Sequence, residues 1–307
     1  MPLDHATPAT PAADGGLVGL ARGFAEQEGC NPTPLPGVLI YRVDAILPRT
    51  PVMYDPCVLV VAQGAKRGYL GDQVLEYNAS SYLVTSVPMP IECEILEASP
   101  ERPFLAVKLP IDPVVIGELQ LSMEDESLPE GAVPRGMAAS PLTQDLIDAT
   151  ERLLLTFARP TDCRILGPGI LREIFYRVLL SEQGFALKAA ARRKGQFHKI
   201  ADVLRAIQED CRQPLDTAAM ARMAGMSKSA LHESFRAVTS MSPLQYIKSV
   251  RLHEARLMMQ SSGVKASAAA YRVGYASASQ FTREYKRLFG APPSIDIKRN
   301  TAGVSGV

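Results

Sequence analysis

The sequence predicts a two-domain α+β chain: an all-β barrel or sandwich with flanking helices, followed by an all-α unit carrying tandem helix-turn-helix motifs. Three observations predict it. Short apolar runs alternate with turn residues from Gly37 to about Val107, the periodicity turns helical after Pro113, and two segments near the C-terminus repeat each other. At 307 residues the chain is too long for one ordinary domain, and 47% hydrophobic with 21% charged residues suits soluble units with real cores. It contains no run of eighteen apolar residues and opens without a basic start and apolar core, so neither a membrane span nor a secretory leader is expected.

Residues 1–16, with Pro2, Pro8, Pro11, Gly15 and Gly16 among small residues, read as a mobile arm. A regulatory domain is expected over 17–190. Its strands are Val38–Ile40, Val58–Val61, Tyr69–Leu70, Tyr82–Val84, Ile91–Ile95 and Leu105–Val107. They are separated by Pro48, Pro51, Gly64, Gly68, Gly71, Asn78, Pro88, Pro90 and Pro100. Gly71-Asp72 predicts a hairpin, because both residues tolerate the positive φ of tight turns. Leu142, Leu146, Ile147, Leu153, Leu154 and Phe157 define one amphipathic helix, and Ile170, Leu171, Ile174, Phe175, Val178 and Leu179 a second. Pro160, Gly167 and Pro168 separate the two. This pair packs under the strands or against a second copy of itself; the sequence leaves both open. Residues 184–196, with Lys188, Arg192, Arg193 and Lys194, read as connecting chain, narrowing to a linker at 191–196.

The repeat is the most specific feature. Its first copy runs Met220-Ala221, Ala224-Gly225-Met226-Ser227, Leu231, Phe235-Arg236 and Ser242-Pro243. Its second runs Ala269-Ala270, Val273-Gly274-Tyr275, Ser277, Phe281, Tyr285-Lys286 and Pro292-Pro293. The offset is 49 up to the glycine and 50 from the serine on, so the second turn carries one extra residue. Each copy reads as a short helix, a glycine turn and a second helix opened by a serine N-cap. That is the helix-turn-helix pattern, whose second helix enters the major groove of DNA. A first helix is expected from about Phe197 to Cys211, ended by Pro214, and recognition helices at Lys228–Val238 and Ala278–Phe289. Between the copies, Pro243 can start a helix that continues through Leu244, Ile247, Leu252, Ala255, Met258 and Met259 to Ser262-Gly263. Such a rod of about 27 Å sets two recognition helices roughly one DNA turn apart. Leu231, Phe235, Phe281, Tyr285 and Phe289 read as core, and Gly225 and Gly274 as turn backbone.

Charge supports the same reading. Residues 195–307 hold 16 Lys and Arg against 8 Asp and Glu, whereas residues 1–194 hold 17 against 24. A basic final third is the electrostatic footprint of a phosphate binder.

Other chemistries are excluded by what is missing. Between His5 and His198 there is no histidine, so neither a histidine metal site nor a Ser-His-Asp triad can form in the first domain. Gly64-Ala65-Lys66 lacks the context of a phosphate-binding loop. No catalytic residue, metal or cofactor is therefore expected. Five scattered cysteines fit a reducing cytoplasm. Cys57 and Cys93 lie in expected strands and are candidates for effector or redox sensing, if Arg42, Lys66 or Arg67 lowers a thiol pKa.

Arg251-Leu252-x-x-Ala255-Arg256, followed by Val273-Gly274-Tyr275-x-Ser277-x-Ser279-x-Phe281-x-Arg283-x-Tyr285-Lys286-x-x-Phe289-Gly290-x-x-Pro293, closely resembles the AraC/XylS family of bacterial transcription regulators over residues 197–297. Gln63-Gly64-x-Lys66, Tyr82–Val87, Pro90 and Ala98-Ser99-Pro100 resemble the N-terminal regulatory domain of one subgroup. The resemblance implies a cupin-like N-terminal β-barrel with flanking helices and an all-α DNA-binding domain over 197–300. It also implies promoter DNA and RNA polymerase as partners and activation as the sign of control; a barrel of modest strand number can enclose a small apolar or weakly polar effector, its identity unknown, and the location expected is cytoplasmic. Repression by occlusion is the alternative, and a small-molecule-binding cupin-like enzyme with a helical appendage is the rival from another class. Base-reading positions implied by the family are Ser229, His232 and Glu233 in the first copy, and Ala278, Ser279, Thr282 and Arg283 in the second. Glu233 departs from the family, where arginine is common; a carboxylate repels phosphate but accepts from cytosine N4. Lys228, Arg236, Arg251, Arg256, Lys286 and Arg287 are candidates for phosphate contacts or for local ion pairs with Glu254 and Glu284. A homodimer through the helices at 142–180 is a further expectation.

Overall fold

A computed structural model describes residues 16–123, 134–181, 184–191, 195–213 and 215–300. Most of the expected arm, the cluster Arg192 to Lys194 and the helix stop at Pro214 lie outside the described residues.

Among the described residues the strands form two antiparallel sheets. One runs β1 (Gly29–Pro32), β2 (Leu39–Val43), β9 (Phe104–Pro110), β4 (Cys57–Gln63), β7 (Ser81–Thr85) and β10 (Met137–Pro141) from edge to edge. The other runs β3 (Leu47–Tyr54), β8 (Met89–Glu97), β5 (Ala65–Leu70) and β6 (Gln73–Asn78). The sheets face each other as an open sandwich; the closed barrel does not form. Their shared interior holds Leu59, Val61, Phe104 and Ala106 from the first sheet and Leu70, Tyr77, Ile91 and Ile95 from the second. The first sheet buries its other face as well. Val58, Val60, Leu105, Val107 and Leu109 meet Leu146, Leu153, Ile174, Phe175 and Val178 on helices. Burial on both faces explains why β4 and β9 read as unbroken apolar runs rather than alternating ones.

The helices covering that face are α1 (Leu17–Gly23), α2 (Pro113–Ser122), α3 (Gln144–Thr156), α4 (Pro160–Leu180) and α5 (Gly184–Ala191). Two expectations are corrected here. α4 passes through Gly167 and Pro168, which the sequence set as a break. Proline cannot bond the carbonyl of residue 164, but both Pro168 and Arg164 are exposed, so water can take that carbonyl. Residues 184–191 are helix rather than connecting chain, because Leu187 is buried (1% exposed) in the helical layer.

Of the strands the sequence did not name, β1, β3, β6 and β10, β3 was hidden by Pro48 and Pro51, which read as breaks. It lies at a sheet edge, where prolines without an N–H are tolerated. The hairpin forms as expected, with Leu70 paired to Gln73 and Gly71 at φ 60.

The C-terminal half contains α6 (Gln196–Glu209), α7 (Thr217–Met223), α8 (Lys228–Thr239), α9 (Pro243–Ser262), α10 (Ala266–Arg272), α11 (Ala278–Phe289) and α12 (Pro293–Asn300). Its core joins that of the sandwich interior. Three contacts mark the join. Tyr246 on α9 donates to the Pro88 carbonyl at 2.9 Å. The Gly136 N–H donates to the Val238 carbonyl at 3.0 Å. The hairpin tip at Gly71 lies against Ser240, the left-handed cap that ends α8, so closely that a Cβ there would stand 3.0 Å from the Ser240 Cβ.

Candidate nucleic-acid interface

Each copy of the repeat folds by the same local chemistry. Ser227 Oγ accepts from the Ala230 N–H at 3.2 Å and opens α8; Ser277 Oγ accepts from the Gln280 N–H at 3.3 Å and opens α11. The turns before them place Gly225 at φ 56 and Gly274 at φ 87, conformations that suit glycine. One face of each recognition helix is buried: Leu231, Ser234, Phe235 and Val238 on α8, Phe281 and Tyr285 on α11. Phe289 is only half-buried.

The opposite faces point outward. Ser229, His232 and Glu233 on α8 are exposed, as are Ser279, Thr282 and Arg283 on α11, while Ala278 is half-buried. Lys228, Arg236, Lys286 and Arg287 are exposed beside them. Gln280, Arg283, Glu284 and Arg287 line an open hollow of about 370 Å³ along α11. Ser242 and Gln245 form a reciprocal capping box at the start of α9, whose 20 residues make a rod of about 30 Å between the two copies.

Two expected phosphate contacts have their donors committed inside the domain. Arg251 reaches the Cys211 carbonyl at 2.7 Å and the Gln213 carbonyl at 3.0 Å, tying the end of α6 to the second turn at Gly274. Arg256 grips Asp296 at 2.9 and 3.0 Å and lies 4.5 Å over the Phe289 ring. Asp296 also accepts from Tyr285 Oη at 2.7 Å. The ion-pair partner of Arg256 is thus Asp296 on α12, not Glu254 or Glu284. Glu284 instead accepts from Lys248, Tyr275 and Gln280. Burial raises its pKa, but those bonds outweigh it and hold the carboxyl below the ordinary range.

A second feature lies between the two sheets. A cavity of about 160 Å³ is lined by Tyr41, Met53, Tyr54, Asp55, Leu59, Lys66, Phe104 and Lys108. The sequence flagged Lys66 only in passing, and no local pattern marks the other residues as a set. Cys57 and Cys93 are buried nearby (0% and 4% exposed). Burial, opposed by Lys108, pushes the Cys57 thiol up to about 12. Burial also raises Cys93, against the pull of Lys66. Arg42 and Arg67 are paired elsewhere, with Asp44 and with Glu76 and Glu94. The condition for thiolate sensing, a lowered pKa, is not met: burial shifts both thiols upward. No cluster of three or more His, Cys, Asp and Glu placed to hold a metal occurs among the described residues.

The model of the AraC-type transcriptional regulator N-terminus matches residues 34–186, and a helix-turn-helix domain model matches 220–299. The HTH-type transcriptional regulator GlxA of Rhizobium meliloti is 35% identical over 113 residues, covering 36% of this chain and 35% of that protein. Regulatory protein SoxS of Escherichia coli K12 is 33% identical over 95 residues, which is 31% of this chain and 89% of SoxS. The match thus spans about a third of GlxA but nearly all of SoxS. An apo point variant of ToxT from Vibrio cholerae superposes with a TM-score of 0.59 at 14% identity, covering 89% of this chain and 99% of ToxT. Wild-type ToxT with a bound unsaturated fatty acid gives a TM-score of 0.57 at 14% identity, with 87% and 96% covered. At that identity the likeness is one of fold.

Proposed function

The chain belongs to the AraC family of DNA-binding transcription regulators, and on that premise we propose an effector-responsive activator that reads two successive major grooves of promoter DNA. One observation carries the reading: two recognition helices expose short polar faces flanked by lysine and arginine, and a single helix of about 30 Å links them. Ser229, His232 and Glu233 read one half-site, and Ala278, Ser279, Thr282 and Arg283 the other. Lys228, Arg236, Lys286 and Arg287 hold phosphates. Recruitment of RNA polymerase follows from the family resemblance. No helix among the described residues is long and apolar enough to cross a membrane.

The sandwich is the effector domain. ToxT, a neighbour of the same fold, holds a fatty acid, which supports small-molecule control here. Contact between the sandwich and the DNA-reading half supplies the route: β3 touches both α9 and α11. Exposed Leu155, Ile165, Leu166 and Leu180 on α3 and α4 favour a homodimer through these helices.

Capture of fragmented genomic DNA by the purified full-length protein tests the reading. Retained fragments should share two short motifs about one helical turn apart. Transcription from a retained promoter, with and without the protein, then separates activation from occlusion. Retention of DNA without any shared motif would overturn the base-reading assignment.

A further inference from the structure

The sandwich interior holds a buried lysine that no carboxylate pairs. Lys66 is 2% exposed on the inner face of β5, with Gly68 and Leu70 as its neighbours on that face. It lines the cavity, and among the described residues its Nζ makes no hydrogen bond and no ion pair. It has only the ring faces of Tyr54 at 5.3 Å and Phe104 at 6.0 Å. Burying an unpaired ammonium is costly, and ring faces compensate only part of that cost.

The other polar groups of the cavity are already committed. Lys108 lies 3.4 Å from Asp55 at the cavity edge. Tyr54 Oη shares a hydrogen bond of 3.0 Å with Tyr77 Oη. The lining thus carries two lysines against one carboxylate, and the lysine without an anionic partner is Lys66.

We propose that this cavity binds a compact monocarboxylate, its carboxylate on Lys66 and its apolar body against Tyr41, Met53 and Phe104. Size limits the body. About 160 Å³ compares with the roughly 150 Å³ apolar cavity that accepts benzene, so one ring or a short aliphatic chain fits. Burial lowers the Lys66 pKa, and an arriving carboxylate favours its charged form. The site also faces the part of the fold that can transmit binding. Met53 and Tyr54 lie on β3, the strand that contacts α9 and α11. This inference rests on the effector-responsive reading and names its ligand class.

Titration calorimetry on the full-length protein, without DNA, tests it. Benzoate, phenylacetate and hexanoate are the probes, and benzamide and benzyl alcohol the uncharged controls. At least one carboxylate should bind saturably at one site per chain, and the uncharged controls at least tenfold more weakly. Lys66→Met should weaken the carboxylate at least tenfold without lowering the melting temperature, because it removes a buried polar group that has no partner. If that variant does not fold, Lys66→Gln replaces it, and the acid-against-amide comparison on the unmodified protein stands regardless. Absence of saturable binding by every carboxylate overturns the proposal, as does equal binding of acid and amide. Loss of binding in Lys108→Met but not in Lys66→Met also overturns it, by moving the anion to the cavity edge. Genomic capture is independent of these heats, so failure of the ligand site and failure of the promoter reading are told apart.

Discussion

Tyr246, completely buried in the middle of the DNA-reading half, donates its hydroxyl proton to the carbonyl of Pro88 in the sandwich, 2.9 Å away and 158 residues earlier in the chain. The ring also packs edge-on against Phe235 of the first recognition helix at 5.5 Å. One side chain therefore joins the recognition helix, the linking helix and the loop that leads into β8. Tyr246→Phe keeps the packing and leaves the Pro88 carbonyl short of its donor. It should lower stability by about 1–2 kcal/mol, read as a drop in thermal midpoint. A midpoint matching that of the unmodified protein would show that water replaces the hydroxyl without loss.

Arg283 and Lys286 lie on the same exposed face of α11 but should behave differently. Arg283 can donate two bonds to guanine O6 and N7, a discrimination of roughly 1–3 kcal/mol. Arg283→Ala should flatten base preference in one half-site. Lys286→Ala should weaken all sequences alike. Binding measured against a panel of single-base site variants separates the two, and identical profiles for both variants would contradict the assignment.

With the donors of Arg251 and Arg256 tied up inside the domain, Lys228, Arg236, Lys286 and Arg287 remain as the assigned phosphate contacts. The slope of log K against log salt should then be about −4, at roughly −0.9 per phosphate. Lys286→Ala should make it shallower by about one. A slope near zero would remove the basic-face reading altogether.

What the sequence made legible here is local, and what it hid is not. Ser227 and Ser277 cap helices within three residues of themselves, so the recognition helices fell where periodicity and capping placed them. β3 was hidden because the tolerance of Pro48 and Pro51 depends on being at a sheet edge, which only the assembled sheet decides. Pro168 was misread for a similar reason: whether a proline breaks a helix depends on whether water reaches the carbonyl it leaves unpaired. Arg251 and Arg256 looked like DNA ligands because their partners, Cys211 and Asp296, are each 40 residues away. Lys66 showed only as part of the family-like pattern Gln63-Gly64-x-Lys66, and its isolation from any carboxylate is a property of the packed sandwich.

Asp296 on α12 is buried (6% exposed) and accepts from both Arg256 and Tyr285. Removing one member of a buried charge pair leaves the other uncompensated. Asp296→Ala should cost about 3–5 kcal/mol of stability in the C-terminal half. Arg256→Lys should recover only part of the native stability, because an ammonium cannot reproduce the two-pronged grip of a guanidinium. Urea unfolding of both variants gives the check; near-native midpoints for Asp296→Ala would mean that the cluster contributes little.

Stability should also depend on His253. Its ring packs edge-on against Phe289 at 5.2 Å, and its Nε2 is enclosed without a hydrogen-bond partner. Burial, aided by the charge of Arg256, lowers its pKa to about 3. In the unfolded chain the same group titrates near 6.5. Above that pH neither state carries the proton, so the stability is fully present. Between about 6.5 and 3 the unfolded chain binds one more proton than the folded one, and stability falls as pH falls, by about 1.4 kcal/mol per unit. Glu173, Asp210 and Glu284 have carboxyl pKa values held below the usual range, so they stay ionised between pH 6.5 and 5 and do not mask the effect. Across that interval the unmodified protein should lose about 2 kcal/mol more than His253→Phe, which keeps an aromatic ring against Phe289 but cannot titrate. Urea midpoints at half-unit steps supply the measurement, and parallel pH profiles for the two proteins would show that the ring takes up its proton in the folded state as readily as in the unfolded one.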